Sequence, residues 1–476
     1  MENLKKGTTQ GLKWSAIERI LTQGVQLAIT LILAKMLGPT AFGLVGMLAI
    51  FIAIANVFVD SGFSSALIRK PECTQSDFVT AFYYNILVSL SCYLVLYISA
   101  PWVAEFYQQS QLQSLLRILG CVVLINASTL IPRVQLTINM DFKTQAKISI
   151  CSAVTSGMVA LTLAYYGYGV WALVAQTLLN ALVMAIIFNV VVPWRPKGGI
   201  SQESLDYLFG FGSKLLLSGL LDTIYNNIYQ IIIGKKFSPA AVGQFTQANQ
   251  LASVPAITMT SIIQRVTYPM FSKLQSQSKP MDDTYRLTLK LAALVIFPLI
   301  MGLAIIAEPL LIWGLGEEWK IAANLLTVLC VGCMLYPIHA INLNILQVKG
   351  RSDLCLKLEV IKKSIGISIL LITIPLGVLA MCAGLAINSY LALIFNTYYT
   401  AKLTSISQRQ QCQDLLPFWL AVMCAATLAY VIGLSFHHTI WLQVIITLSV
   451  AVVSYVSYLI IAQRPLLQHI KATLRD

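Results

Sequence analysis

The chain has 476 residues, of which 57% are hydrophobic and only 11% charged, and its formal net charge is +13. Soluble domains carry about 25% charged residues, so this composition excludes an ordinary soluble enzyme or soluble binding module. The Lys and Arg residues are spread over many short polar segments, a pattern that does not indicate a nucleic-acid-binding surface.

Fourteen apolar segments follow one another along the chain. A transmembrane helix needs about 20 mainly apolar residues, and the predicted spans cover residues 12–36, 41–67, 78–100, 112–138, 146–165, 168–192, 208–234, 240–268, 284–313, 321–346, 354–379, 381–401, 415–436 and 439–462. No secretory signal peptide is expected, because the first apolar segment is too long and no small-residue cleavage site follows it. The sequence therefore predicts an all-α polytopic membrane protein.

The second half of the chain repeats the first. Segment 31–43 aligns with segment 231–243, with Lys, Pro, Ala and Gly in step, and segment 100–119 aligns with segment 308–329. Duplicated polytopic chains are typical of secondary transporters. We therefore predict a first six-helix bundle in residues 1–200, a second in residues 201–405, and two extra helices in residues 406–476.

Lys and Arg residues indicate how the chain is oriented, because they are enriched in cytoplasmic loops. With a cytoplasmic amino terminus, 21 of the 32 Lys and Arg residues fall in tails and loops on that side. The opposite side holds only Lys35, Lys235, Lys236 and Lys320. We therefore predict that both termini are cytoplasmic.

Polar residues inside the spans are concentrated in spans one, seven and eight. In spans one and seven they recur every three or four residues, which places them on one helix face. Because such residues are costly in a bilayer unless they face water or a partner, we predict a central polar cavity lined mainly by spans one, two, seven and eight. Its predicted substrate-binding residues are Arg19, Gln23, Gln26, Lys214, Asn226, Gln264 and Arg265.

The charges of this predicted cavity favour an anionic substrate. Arg19, Lys214 and Arg265 outnumber the acidic residues near them, and such cations bind phosphate or pyrophosphate groups. Two alternatives stay open at this point. The polar residues join helices by hydrogen bonds, or the three cations extend to the membrane interface.

Asp222 lies deep in span seven and is the predicted residue for coupling transport to a proton or another cation. The alternative is an internal ion pair with Lys214, although eight residues of helix separate the two by about 12 Å. His339 in span ten is interpreted as a packed polar residue in preference to a proton carrier, and Asp60 is a candidate cap at the end of span two.

Neither a metal site nor a cofactor is predicted. The ten cysteines lie mostly in apolar segments, and the single CxxC pair, Cys330 and Cys333, has no second pair to complete a zinc site. The chain also lacks a GxxxxGK[ST] loop, so ATP hydrolysis by this chain is not expected.

Several segments resemble the polysaccharide-transporter family of the multidrug/oligosaccharidyl-lipid/polysaccharide exporter superfamily, closest to the colanic-acid exporter type. They are residues 33–44 after span one, 60–68 ending span two, 131–133 with 141–142 around the end of span four, 268–274 ending span eight, and 350–353 after span ten. The resemblance extends over essentially the whole chain.

This resemblance implies a flippase that moves undecaprenyl-pyrophosphate-linked oligosaccharide units across the bacterial inner membrane by alternating access. The glycan would serve lipopolysaccharide, capsule or exopolysaccharide synthesis, with glycosyltransferases and a polysaccharide polymerase as functional partners. Arg19 and Arg265 lie on the spans that carry cavity cations in related lipid II flippases. In those relatives two carboxy-terminal helices form a groove for the lipid tail, which implies the same role for spans thirteen and fourteen.

Two other functions are compatible with many predicted spans. A cation-coupled multidrug antiporter of the same superfamily would need acidic groups in the cavity, whereas the predicted cavity is cationic. A membrane polysaccharide polymerase or glycosyltransferase would need catalytic residues on a sizeable outer loop, and every predicted outer loop is short. A scaffold without transport activity leaves the polar stripes unexplained.

Overall fold

The computed structural model describes residues 2–70, 72–275, 277–436, 440–465 and 468, with side chains from Leu21 onward except that of Ser278. Within these ranges the chain forms α-helices joined by short turns and contains no β-strand, so the predicted all-α class is confirmed. The helices are α1 (Glu2–Asp60), α2 (Phe63–Arg69), α3 (Gln75–Tyr107), α4 (Gln111–Leu119), α5 (Cys121–Ala127), α6 (Leu130–Ile138), α7 (Phe142–Tyr165), α8 (Val170–Val191), α9 (Gln202–Lys236), α10 (Pro239–Lys273), α11 (Ser278–Ile305), α12 (Ala307–Leu315), α13 (Lys320–Cys333), α14 (Tyr336–Val348), α15 (Ser352–Thr373), α16 (Val378–Ala401), α17 (Gln408–Leu434) and α18 (Ile440–Ala462).

Among the described residues, nine helices are long and apolar enough to cross a membrane. A tenth is added if Gln111–Ala127 and Leu130–Ile138, which meet at a bend of 42°, form one span. Large apolar side chains such as Val95 and Ile461 are 64% and 74% exposed, which suits a surface that faces lipid. The long helices α9, α10 and α15 fall outside this set. The chain is thus a multi-pass membrane protein, and the count of fourteen spans stays a prediction.

Both copies of the repeated segment end one helix and begin the next at a proline. In the first copy, α1 is broken at Gly38, whose φ of 70° favours glycine, and Pro39 opens the second half of the helix. In the second copy, Pro239 opens α10, and the Ser238 hydroxyl oxygen accepts a hydrogen bond from the Ala241 N–H at 3.2 Å. Proline suits the first helical position because no intrahelical partner awaits its missing N–H.

The two proline turns contact each other through glycine. A Cβ atom added to Gly43 would collide with the carbonyl group of Pro239. Symmetrically, a Cβ atom added to Gly243 would collide with the carbonyl group of Pro39. The Lys-x-x-x-Pro-x-x-x-Gly pattern that marks the repeat is therefore also the pattern of a close backbone contact.

The chain divides into two compact units, Met1–Gly243 and Gln244–Asp476. The first unit contains α1 to α9, so α9 packs with the helices that precede it. The predicted bundle boundary after residue 200 would assign α9 to the second copy of the repeat. The boundaries of the repeat itself stay a prediction.

Within the first unit, α9 packs along the second half of α1 at glycine positions. A Cβ atom added to Gly219 would lie 3.2 Å from Cγ1 of Val57, and one added to Gly234 would lie 3.1 Å from Cγ of Met47. Contacts this tight leave no room for a larger side chain without a local shift. The fold therefore fixes the position of α9 beside α1.

Within the second unit, charged residues join α17 to α11. The Arg286 guanidinium donates to both carboxylate oxygens of Asp414 at 2.7 and 2.9 Å, and Lys290 Nζ lies 3.1 Å from the same carboxylate. Asp414 is only 5% exposed. A carboxylate this buried is stabilised by paired cations and hydrogen bonds, so these three residues hold the start of α17 against α11.

A buried polar cluster lies beside this ion pair. The Tyr285 hydroxyl contacts the side-chain oxygens of Asn342 and Gln411, the latter at 2.9 Å. The Thr400 hydroxyl lies 3.2 Å from the Asn342 oxygen and 3.1 Å from the Gln411 oxygen. All four residues are fully buried. Because buried hydrogen-bonded groups specify geometry, the cluster fixes α11, α14, α16 and α17 in register.

The segments that precede α9 and α17 are each anchored by a hydrogen bond from a backbone N–H to a side chain of an earlier helix. The backbone N–H of Ser201, before α9, donates to Oγ1 of Thr80 in α3 at 3.0 Å. The backbone N–H of Ser405, before α17, donates to a carboxylate oxygen of Asp282 in α11 at 3.0 Å. In each unit, a backbone N–H just before a long helix, α9 or α17, is thus hydrogen-bonded to a side chain of an earlier helix of the same unit.

Candidate functional site

The polar stripe of α9 lies on an exposed face of the helix. Lys214, Ser218, Asp222 and Asn226 follow one another at steps of four and are all exposed. Each step of four turns the stripe by about 40°, so the four side chains share one broad face. The predicted positions of Lys214, Asp222 and Asn226 on one helix face are thus consistent with the fold.

Exposed leucines adjoin this stripe. Leu217 and Leu221 are 63% and 59% exposed, and helical spacing places them next to the polar side chains. The exposed face of α9 is therefore half polar and half apolar. Such a face suits a molecule that has both a polar and an apolar part.

The stripe becomes buried towards the end of α9 that is nearest the proline turn. Tyr229 and Ile233 are 6% and 0% exposed. Gln230 is half-buried, and its side-chain oxygen has no hydrogen-bond partner among the described residues. The exposed part of the stripe is thus confined to the portion of α9 that includes Lys214 and Asn226.

In α10, Arg265 is exposed and makes neither a hydrogen bond nor an ion pair with any side chain that the structure describes. Gln264 beside it is half-buried. The hydroxyls of Thr260 and Ser261 donate to carbonyls of their own helix. These hydroxyls therefore do not join α10 to another helix, and Arg265 is accessible to an anion.

Of the three residues predicted in span one, two have described side chains. Arg19 lies outside the described side chains, although its backbone belongs to α1. Gln23 is half-buried and Gln26 is exposed. The arrangement of Arg19 and Arg265 around one cavity therefore stays a prediction.

Asp222 does not pair with Lys214. Both side chains are exposed, and no ion pair joins them in the part of the chain that the structure describes. The internal ion pair considered from the sequence is therefore wrong, because eight residues of helix hold the groups too far apart. The coupling role of Asp222 stays a prediction.

His339 is a packed polar residue, as the sequence indicated. Its Nε2 lies 3.1 Å from the Ser389 hydroxyl and its Nδ1 lies 3.1 Å from Nδ2 of Asn396. The Ser389 hydroxyl in turn donates to the Gly332 carbonyl, so the Ser389 oxygen accepts from His339. Both ring nitrogens are thus used by neighbours, as expected of a neutral imidazole with a structural role.

Two aspartates flank the short helix α2: Asp60 is the last residue of α1, and Asp77 lies in the first turn of α3. The Asp60 carboxylate accepts from the Ser64 hydroxyl at 2.5 Å. This contact joins two side chains, and α2 starts after Gly62 without a side-chain cap, so the predicted capping role of Asp60 stays a prediction. Asp77 is 1% exposed; it accepts from the Thr74 N–H and lies 2.7 Å from Lys70 Nζ. The hydrogen bond to Asp77 raises the pKa of Lys70 above its ordinary value. The Thr-x-x-Asp pattern at residues 74–77, which is typical of a helix start, is the sequence feature from which the position of Asp77 could have been predicted.

An apolar cavity of about 260 Å³ lies in the second unit between α11, α17 and α18. Its lining includes Pro298, Ala425, Val452 and Tyr455. The Tyr455 hydroxyl is already used, since it donates to the Leu294 carbonyl at 3.0 Å. A more open groove of about 530 Å³ lies between α17 and α18. Both spaces offer hydrocarbon contacts and few free polar groups.

Comparison with known proteins adds a family and a fold. Residues 32–324 match the family described as "Polysaccharide biosynthesis protein". The chain is 28% identical to the teichuronic acid biosynthesis protein TuaB of Bacillus subtilis (strain 168), over 74% of each chain. It is 22% identical to the lipopolysaccharide biosynthesis protein WzxC of Escherichia coli (strain K12), over 88% of this chain and 85% of that protein.

Two solved structures share the fold. The lipid II flippase MurJ in an inward closed conformation aligns with a TM-score of 0.72 and 14% identity, over 94% of this chain and 98% of that one. An inward-facing multidrug resistance transporter of the MATE family aligns with a TM-score of 0.62 and 16% identity, over 82% and 98%. At these identities the alignments establish a common fold.

Proposed function

The chain belongs to the polysaccharide biosynthesis protein family, and from this premise we propose that it is a flippase for polyprenyl-pyrophosphate-linked oligosaccharides. The relatives TuaB and WzxC are biosynthesis proteins for teichuronic acid and lipopolysaccharide. Polymers of this kind are built from sugar units whose polar groups cannot cross hydrocarbon unaided. A protein that carries such units must accept sugars, an anionic linker and a lipid tail together.

The exposed stripe of α9 is the observation that carries the proposal. Lys214, Asp222 and Asn226 offer charge and hydrogen bonds, and Leu217 beside them offers apolar contact. Polar groups on a membrane helix are retained where they face a pathway. The combination suits a ligand that is polar at one end and apolar at the other.

The positively charged residues provide the anion-binding part of the proposal. Arg265 is accessible and has no described counter-ion, and its planar guanidinium matches phosphate oxygens in pairs. We propose Arg19 as the second cation of the anion-binding site, because it lies on span one. Gln23, Gln26 and Gln264 are proposed to bind the sugar units through their side-chain amides.

The apolar cavity beside α17 and α18 provides for the lipid tail. Its polar atoms are bonded within the protein, as the Tyr455 hydroxyl illustrates, so it favours a hydrocarbon occupant. In this proposal the polyprenyl chain stays in contact with lipid and α17–α18 while the head group crosses the membrane. The carrier is proposed to act in the bacterial inner membrane with both termini in the cytoplasm.

Complementation of a flippase-deficient strain tests the anion site. Arg265→Ala is expected to reduce surface glycan at least tenfold, because a charge-assisted contact of about 1.5–3 kcal/mol is lost, and lipid-linked units should accumulate inside. Arg265→Lys should restore part of the export, since the charge is kept and the paired geometry is lost. Lys273→Ala, an exposed cation at the end of the same helix, is the matched control and should export normally.

Two outcomes would contradict the proposal in different ways. Normal surface glycan from a well-inserted Arg19→Ala, Arg265→Ala double mutant would exclude this pair as the pyrophosphate site. If deletion of the native gene caused no accumulation of lipid-linked units, the flippase function itself would be wrong.

A cation-coupled multidrug antiporter is the second candidate, because a MATE transporter shares the fold. That function would require cationic drugs to bind near Asp222, and Asp222→Asn would then abolish drug resistance. The accessible Arg265 would repel such drugs, so we favour the flippase.

A further inference from the structure

A single arginine lies on the apolar exposed surface formed by α3 and α4. Arg117 is half-buried, and its neighbours Leu94, Tyr97 and Ile118 are 49%, 43% and 41% exposed. Gln111 begins α4, so Arg117 lies six residues, or about 9 Å, below the turn that joins α3 to α4. Gln111–Ala127 with Leu130–Ile138 is a candidate span, and half a bilayer with its head groups is about 20 Å thick. A span that starts at this turn therefore carries Arg117 inside the membrane, near the head groups.

The guanidinium of Arg117 has long, incomplete contacts within the protein. Its carbon atom lies 4.5 Å from the centre of the Tyr97 ring, and Nε donates to the Tyr97 carbonyl at 3.5 Å. In the amide orientation of Gln113 that places its side-chain oxygen next to Arg117, both Nη1 and Nη2 of Arg117 donate to that oxygen at 3.3 Å. A guanidinium has five N–H donors, so two remain for an outside acceptor.

No carboxylate of the described residues lies within 4 Å of Arg117. Lys70 in the same unit has such a partner in Asp77. An unpaired charge at membrane depth is costly. The cost falls if an anion from the membrane itself contacts the guanidinium.

The geometry directs Arg117 towards the turn that joins α3 to α4. Helical side chains lean towards the amino end of their helix, and in α4 that end is the turn before Gln111. The contact with Gln113, one helical turn closer to that end, agrees with this direction. The ring of Tyr97 stabilises the guanidinium by a cation–π contact.

We propose that Arg117 and Tyr97 form a binding site for the phosphate of a resident phospholipid, in the leaflet on the side of the α3–α4 turn. The phosphate oxygens accept from the two free N–H groups, and the acyl chains lie against Leu94 and Ile118. This site is separate from the stripe of α9, and the proposal does not depend on the transported substrate. The bound lipid fixes the depth of the α3–α4 pair in the membrane.

Native mass spectrometry of the intact protein in detergent with added phosphatidylglycerol tests the site. The wild-type chain should retain phosphatidylglycerol and release diacylglycerol of the same acyl chains, which lacks the phosphate. Arg117→Gln should lower retention about tenfold, because it removes a charge-assisted contact. Lys197→Gln, which removes the same charge from an exposed loop, is the matched control and should retain lipid normally.

Tyr97 provides a second test that does not alter charge. Tyr97→Phe keeps the aromatic ring and should retain lipid as wild type, whereas Tyr97→Leu should lose part of the retention. Equal retention by all these variants, or equal retention of diacylglycerol, would overturn the proposal. Selective retention of undecaprenyl phosphate in place of phosphatidylglycerol would also overturn it and would assign Arg117 to the substrate.

Discussion

At the residue scale, burial separates structural charges from accessible ones. Asp77 is 1% exposed and is surrounded by Lys70 and Thr74, so its charge is used within the fold. Arg265 and Lys214 are exposed, and no described carboxylate pairs with either. The exposed cations are therefore the ones available to an anionic ligand.

Asp222→Asn is expected to weaken transport while leaving the protein folded and inserted. The change removes the acid that we predict couples transport to a proton or another cation, and it keeps the size of the side chain. Surface glycan should be measured with and without an ionophore that collapses the gradient.

Asp206→Asn is the control for this prediction, because Asp206 is an exposed acid near the start of the same helix. If Asp222→Asn transported substrate with the wild-type response to the ionophore, Asp222 would have no coupling role.

At the scale of elements, α17 is held by charges and a polar cluster, whereas α9 is held by close glycine contacts. Asp414 binds Arg286 and Lys290 of α11, and Gly219 and Gly234 place α9 against α1. The apolar cavity between α11, α17 and α18 depends on the contacts of Asp414 that hold α17 against α11. The packing of α17 on α11 therefore shapes the apolar cavity that we propose for the lipid tail.

Asp414→Ala is expected to destabilise the protein by about 2 kcal/mol, because it leaves two partly buried cations without their anion. Thermal unfolding in detergent should show a midpoint lowered by a few degrees. Asp353→Ala removes the exposed partner of Arg351 and should change stability by less than about 0.5 kcal/mol. Equal midpoints for the two variants would contradict the docking role of Asp414.

At the scale of the whole molecule, long-range patterns were predictable and side-chain partners were not. The proline turns at Pro39 and Pro239 follow from the repeat, since hydrophobic periodicity and proline placement are local signals. The partnership of Asp414 with Arg286 was not predictable, because 128 residues separate the pair. Arg286 falls within the predicted span 284–313 and belongs to α11, but its carboxylate partner is far away in the sequence.

Reporter fusions test the predicted orientation of the whole chain. Fusions at Gly167 and Glu317 should report the periplasm, and a fusion at Gly198 should report the cytoplasm, because the Lys and Arg bias places them so. A further fusion at His437, outside the described residues, should be periplasmic. A cytoplasmic signal at His437 would contradict the fourteen-span arrangement.

The glycine contacts between the two proline turns also determine which substitutions the two halves of the chain tolerate. Gly43 lies against Pro239 and Gly243 lies against Pro39, so a side chain gained at either glycine presses on the other copy. Each glycine position is thus constrained by the proline turn of the other half. A substitution at Gly43 or Gly243 would therefore need a compensating change about 200 residues away in the sequence, which makes this pair of turns a point where the two halves of the chain depend on each other.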